Sequence, residues 1–324
     1  MRTALRRAMA LTGPILLAAC CGGCPKPCPQ TLVPLEQLVR EYNANAAAVP
    51  RLWARAKIAL TLTSSKGRTV SWGSTLLAPN GRLLLAKPED PNKLGPADFA
   101  LIGYEVSQPL FRLGNCAADG IYYLWYRFGD QGGMWWGRTA LAGAPGIEDL
   151  PIDPLQLLAV LCICELPSDF TQPPTVALSM NTEPGQCAYV LTYIDRQPVT
   201  GRLVFRREMY FRWDDNEPRR PFKVSFFDAS GRRVMTADLL NYQPIDHADV
   251  EPAPARPSVM PTEINITWFD PRKKASGRIA LVLSEMTTKR KWQLSACEPP
   301  DPEGMSPGSV IQVDRDVPTG GGPK

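Results

Sequence analysis

At 324 residues, the chain can bury a full core as one large domain or two small ones, and its single histidine rules out a paired-imidazole zinc site. Its 36 basic and 32 acidic residues leave a charge of +4, and +1 once the three arginines of residues 1–19 are set aside. That balance gives no bulk electrostatic case for nucleic acid or for anionic membranes. His247 lies in the polar loop Pro244-Ile-Asp-His-Ala-Asp249 and reads as a solvated side chain. A Gly-x-Ser-x-Gly elbow, a phosphate-binding glycine loop and metal-ligand spacing are all missing. Asp214-Asp-Asn-Glu217 sits before Pro218 without calcium-loop spacing. The expectation is a protein that is not an enzyme, with no metal and no cofactor.

The chain opens with Arg2, Arg6 and Arg7, then an apolar run from Ala8 to Ala19 that ends Leu17-Ala18-Ala19-Cys20. A short cationic start and a short apolar stretch closing on small residues mark an export signal, too brief to remain as a membrane span. With a cysteine next, the segment resembles the lipobox of bacterial lipoproteins. The resemblance implies a signal peptide over 1–19 and diacylation of Cys20. It also implies a lipid anchor that holds the protein to a membrane without crossing it. Two or three acyl chains make such an anchor slow to release, whereas a single chain binds only marginally. Cys21 stands where the inner-membrane retention signal of some bacteria has Asp, so the expected location is the outer membrane, facing the periplasm.

Residues 20–34 are mostly Cys, Gly, Pro, Lys and Gln without periodicity, and read as a tether. An exported chain meets an oxidising compartment, so some of the remaining eight cysteines are expected to pair, in a connectivity that sequence leaves open. Cys162 and Cys164 point to different helix faces and should not bond each other, and Cys21-Gly-Gly-Cys24 reads as tether. A first helix is predicted from Leu35 to Val49, where Leu35, Leu38, Val39, Tyr42, Ala46 and Val49 recur at three- and four-residue steps, and Pro50 stops it.

Strand alternation follows at once, in Lys57 to Thr63, Thr69 to Leu77, Arg82 to Ala86, Phe99 to Val106 and Leu110 to Leu113. An aromatic hairpin spans Ile121 to Phe128 and Met134 to Thr139. A second helix is predicted from Asp153 to Leu166, capped by Asp153 with Pro154 in its first turn. Further strands are expected over Thr175 to Met180, Cys187 to Ile194, Gly201 to Trp213, Phe222 to Asp228, Arg232 to Tyr242, Glu263 to Trp268, Ile279 to Leu283 and Thr288 to Leu294. Residues 298–324 are rich in proline, glycine and acid and are expected to be disordered.

About eleven strands joined by short turns imply an antiparallel meander with one apolar face. Two helices cannot cover so wide a sheet if it is flat, so it must curl. The expected fold is α+β, mainly antiparallel β: a single curved, open half-barrel over 35–297 with a helical lid and an apolar cavity. The lipobox, the amphipathic first helix, the strand Ala54-Arg-Ala-Lys-Ile-Ala-Leu-Thr-Leu62 and the hairpin from Gly201 to Tyr242 together resemble the LolA/LolB-like lipoprotein-carrier superfamily. That resemblance implies an unclosed barrel whose helices lie over acyl chains, with lipid or lipoprotein as cargo.

Leu155, Leu157, Leu158, Leu161 and Ile163 are the candidate lid contacts. Ile58, Leu60, Leu62, Leu203, Phe205, Ile264, Ile266 and Trp268 are the candidate cavity wall. The alternative is a structural envelope lipoprotein that binds cell-wall glycan or protein. Its surface would be either the aromatic set Tyr122, Tyr123, Trp125, Tyr126, Trp135 and Trp136, or arginines 202, 206, 207, 212, 219, 220, 232 and 233.

Overall fold

The computed structural model describes residues 28, 33–63, 67–88, 96–128, 131–144, 147, 152–183, 187–212, 219–247, 257–270, 275–302 and 309–317. Cys20, the export signal and Asp214 to Glu217 lie outside them. Among the described residues, two helices, α1 (Leu35–Ala47) and α2 (Pro154–Val160), accompany a sheet of fifteen strands rather than about eleven.

In chain order the strands are β1 (Arg51–Thr63), β2 (Thr69–Gly73), β3 (Gly81–Ala86), β4 (Asp98–Glu105), β5 (Gln108–Cys116), β6 (Ile121–Phe128), β7 (Gln131–Arg138), β8 (Thr175–Asn181) and β9 (Ala188–Arg196). They continue as β10 (Leu203–Arg212), β11 (Pro221–Phe227), β12 (Arg233–Pro244), β13 (Val259–Asp270), β14 (Ala275–Thr287) and β15 (Val310–Gln312). The order across the sheet is β15-β7-β6-β5-β4-β3-β1-β14-β13-β12-β11-β10-β9-β8, with β2 paired to β1 alongside that path. Every pairing is antiparallel except β15 with β7. The edge strands β15 and β8 do not meet, so the sheet is open.

One face of the sheet carries the main core. Leu38, Val39, Tyr42 and Ala46 of α1 and Leu157, Leu158 and Val160 of α2 join a single buried cluster. Strands as distant as β6 (Leu124) and β9 (Tyr189, Leu191) contribute to the same cluster, which requires the sheet to wrap around the helices. The segment after β7 crosses to the far half: Gln197 Nε2 donates to Gly143 O at 3.4 Å. A smaller cluster of Trp53, Leu84, Ala100, Ile102 and Cys297 forms on the opposite face. Chain beyond β14 covers it with a 3₁₀ turn, Leu294–Cys297, where a strand from Thr288 to Leu294 was expected.

Three local devices set which side chains face inward. At β10, Phe205 pairs with Ile194 and Arg207 with Tyr193, so Arg206 is an extra residue. Such a bulge reverses the alternation. At Asn241 (φ 52°) a left-handed residue does the same: Met235, Ala237 and Leu239 face the core before it, and Tyr242 after it. Asparagine tolerates that backbone better than branched residues do. Glu285 (φ 51°) shifts β14 likewise, from Leu283 to Met286.

Two expectations about order are corrected. The helix expected from Asp153 to Leu166 stops at Val160, because Cys162 adopts φ 57° and breaks the hydrogen-bond ladder; Leu161, Ile163 and Leu166 are buried from an irregular segment instead. Residues 309–317, expected to be disordered, return to the sheet. Val310–Gln312 pairs with Met134 to Trp136, and Val313, Asp314 and Val317 are buried. Cys28 is disulfide-bonded to Cys187, which ties the tether to the start of β9. Cys116, Cys162, Cys164 and Cys297 are free thiols.

Candidate functional site

The helix α1 is held onto the sheet by polar clasps at its edges and apolar contacts along its stripe. Tyr42 meets Phe211 edge-on at 6.3 Å between centroids. The Asn43 amide donates to Leu166 O and accepts from Leu166 N, both at 2.8 Å. Asn45 repeats the pattern with Val259, at 2.9 and 2.8 Å. Lys87 Nζ donates to Ala46 O, near the last turn of the helix. Each clasp satisfies backbone groups that would otherwise be buried without partners.

Between α1 and the ends of β11, β12 and β13 lies a pocket of about 350 Å³. Tyr42, Ala44, Ala48, Pro221, Tyr242 and Val259 give it an apolar lining, Cys162 forms its inner end, and Glu41, Arg219 and Arg220 stand at one side. Arg219 Nη1 reaches both oxygens of Glu41, at 3.2 and 3.1 Å, and so clamps α1 to the start of β11. Arg220 lies over the Tyr242 ring at 5.4 Å, and the Tyr242 hydroxyl donates to Pro221 O at 2.6 Å.

Burial is the main force on the titratable groups here. It pushes the Cys162 thiol up to about 12, against a smaller opposing pull from Arg207. It raises Tyr42 and Tyr242 well above the usual phenol range. Arg207 itself stacks on Tyr193 at 4.4 Å, inside the lidded face. These groups stay neutral thiol and phenol near pH 7, so among the described residues lining the pocket the formal charges are Glu41 and the two arginines.

The expected cavity was to lie under the Asp153 to Leu166 helix, and the structure places a pocket beside α1 instead. Leu157, Leu158, Leu161 and Ile163 are at most 4% exposed, packed into the core, with Leu155 half-buried. Ile58, Leu60, Ile264 and Ile266 are buried in the same core, and Leu62 and Trp268 pack against it. Trp268 lies across Gly277 of the neighbouring strand, where an added Cβ would overlap the indole at 1.8 Å. Leu203 and Phe205 do not belong to the wall. The bulge at Arg206 turns them outward, leaving Leu203 60% exposed and Phe205 against Phe227 at 4.2 Å.

Of the pocket residues on α1 only Tyr42 belongs to the predicted stripe; Glu41, Ala44, Asn45 and Ala48 lie on the flank beside it. The signal in the sequence is that this flank carries small or amide residues at 44, 45 and 48, where large ones would fill the space. His247 is not a free loop side chain: its Nε2 meets Ser258 Oγ, and Ser258 lines the pocket.

The other surfaces considered are divided. Tyr122, Tyr123 and Trp125 are buried, while Tyr126, Trp135 and Trp136 are partly exposed. Arginines 202, 212, 232 and 233 are exposed, whereas 206, 207, 219 and 220 are partly buried, so they form no single face. A larger, more open groove of about 880 Å³ lies near Trp53, Arg82, Tyr104 and Arg290, away from the helices. No helix among the described residues is long and apolar enough to cross a membrane.

No family model and no curated protein matches the sequence. Among solved structures, the fold is similar to a domain named for outer membrane lipoprotein sorting from Vibrio parahaemolyticus, with 13% identity and a TM-score of 0.43 over 81% of this chain and 95% of that one. It is also similar to a LolA superfamily protein from Nitrosomonas europaea, at 14% identity and TM-score 0.41 over 83% and 99% of the two chains. A DUF1329 family protein from Desulfovibrio piger shows 11% identity and TM-score 0.41 over 80% and 96%.

Proposed function

We propose that the protein is an envelope lipoprotein, anchored through Cys20, that binds acyl chains of lipids or lipoproteins between its helices and its curled sheet and performs no chemistry on them. The carrying observation is the largely apolar pocket of about 350 Å³ between α1 and β11 to β13, on a helix that is held in place by side-chain clasps. Apolar burial supplies the affinity, at about 0.8 kcal/mol for each methylene that leaves water. The pocket lies at the low end of the range for small-molecule sites, so it takes one chain or part of one. A longer chain needs α1 to lift, and the energy of breaking the clasps then tempers binding and permits release.

Organic extraction of protein purified without its anchor, followed by mass spectrometry, tests this: bound acyl lipid is expected. Ala48→Phe, which fills the pocket, should carry none while remaining folded. Extracts free of lipid, together with no uptake of a labelled fatty acid, overturn the proposal.

A second reading, interaction with cell-wall glycan, draws on the row of stacked, partly exposed rings Trp72, Phe128, Tyr126 and Trp135, whose neighbours sit 5.1–5.7 Å apart. Retention on insoluble cell-wall polymer, lost in Tyr126→Ala with Trp135→Ala, would favour it.

A further inference from the structure

We infer that the α1 pocket prefers acyl ligands with an anionic end, held by Arg220. This rests on the acyl-pocket reading and adds a selectivity to it.

Arg219 and Arg220 enter the pocket together from the start of β11, but their situations differ. Arg219 is matched by Glu41, the acidic residue of the lining, and Glu41 also accepts from Gln37 at 2.8 Å. Among the described residues, no carboxylate pairs with Arg220. Its Nε is removed from solvent and meets no acceptor among the described residues. The nearest ring, Tyr242, supports the guanidinium by its face, and that hydroxyl is spent on Pro221 O.

Guanidinium N–H groups are donors only and bind carboxylate or phosphate in a matched planar geometry. A buried donor facing an apolar pocket is therefore a vacancy for an acceptor, and a charge-assisted bond is the strongest one available. Ala48, Pro221 and Val259 receive the apolar part of the ligand beside it. The shared chemistry is an anionic head on an acyl chain, supplied by a fatty-acid carboxylate or by a lipid phosphate.

Equilibrium dialysis of radiolabelled palmitate and hexadecanol against the full-length Cys20→Ser chain tests the inference, because the two ligands differ only at the head. Palmitate is expected to bind at least tenfold tighter. In Arg220→Gln the two should bind alike at the hexadecanol level, and Arg220→Lys should restore part of the difference. Equal binding in the parent chain, or an equal loss of both ligands in Arg220→Gln, overturns the inference while leaving an acyl pocket in place. Binding of neither ligand removes the acyl pocket itself. A third arm with single-chain lysophosphatidate separates the sources: tighter than palmitate assigns a phosphate, weaker a carboxylate.

Discussion

The side chain of Asn80 occupies the place of a strand residue opposite Ile58. Its Oδ1 accepts from Ile58 N at 2.7 Å and its Nδ2 donates to Ile58 O at 3.0 Å. On this side of β1, β3 pairs as far as Ala56 and β2 starts at Ala59, so the amide fills the break between two strands laid end to end. Backbone bonds from Asn80 N to Ala56 O and from Tyr104 N to Asn80 O fix it there. Asn43 and Asn45 use the same two-way geometry to clasp α1.

Asn80→Ala leaves both backbone groups of Ile58 without their partner and should cost about 1–3 kcal/mol. Asn80→Asp should be worse at neutral pH, because a carboxylate oxygen replaces the donor facing Ile58 O, and should recover as the pH is lowered and the acid protonates. Urea melts of both variants at pH 7 and pH 4 check the order; an equal loss at both values would contradict it.

The α1 clasps predict a helix that opens as a unit. Asn43→Ala and Asn45→Ala should accelerate hydrogen exchange over 35–47 while the central strands β1, β13 and β14 keep their protection. Uniform acceleration across the chain would mean that the clasps support the whole fold rather than a lid.

Cys162 offers an independent gauge of that opening. It is 4% exposed, and burial holds its thiol at about 12, so at pH 8 it should resist iodoacetamide in the closed protein. Labelling should follow the opening of α1, faster in Asn43→Ala and slower with bound acyl ligand. Cys28 and Cys187 should not label at all without reductant, since they are bonded to each other. Rapid labelling of Cys162 in the parent chain would contradict a closed lid.

Periodicity made the sheet, its open curl and both helices legible, because alternation of two and steps of three and four are local properties of the sequence. Ile264, Ile266 and Trp268 show this: each faces the core as alternation requires. The pocket was not legible, since it depends on which side chains fail to fill the space between α1 and β11 to β13, a property of packing. The tail was misread for a related reason. Val310, Val313 and Val317 are too sparse to mark a strand locally, and the partner of Val310–Gln312 is β7, far away in sequence.

That tail is fastened by a buried acid. Asp314 accepts from Arg138 N at 2.9 Å and from Arg138 Nε at 2.8 Å, and from Gln312 at 2.9 Å. Burial pushes its carboxyl up, but these hydrogen bonds and the guanidinium outweigh it and hold the group below its usual value. A depressed folded value means stability that is present above the unfolded carboxylate range, about 4, and lost as the pH falls through the folded value. Asp314→Asn should therefore cost about 1–2 kcal/mol at pH 7, reduced by the partial exposure of Arg138, and the difference from the parent should vanish in acid. Melts at pH 7 and pH 3 measure both halves.

The bulge at Arg206 makes the sharpest test of how this sequence was misjudged. Simple alternation counts Leu203 and Phe205 with Met209 and Phe211 as inward, and predicts similar costs for truncating either phenylalanine. In the structure Phe211 is 0% exposed beneath Tyr42, whereas Phe205 rests on Phe227 on the outer face. Phe211→Ala should cost about 3–5 kcal/mol and weaken acyl binding, because it opens a void under the pocket helix. Phe205→Ala should cost about 1 kcal/mol and leave acyl binding unchanged, since an outer aromatic pair contributes little beyond its contact. Deleting Arg206 makes Phe205 the neighbour of inward-facing Arg207, so regular alternation keeps Phe205 and Leu203 on the outer face, still opposite Ile194 and Arg196. The deletion should therefore leave acyl binding unchanged, with Phe211 and Met209 still in the core. A deletion that abolished acyl binding would mean that Arg206 is not merely the extra residue of the bulge.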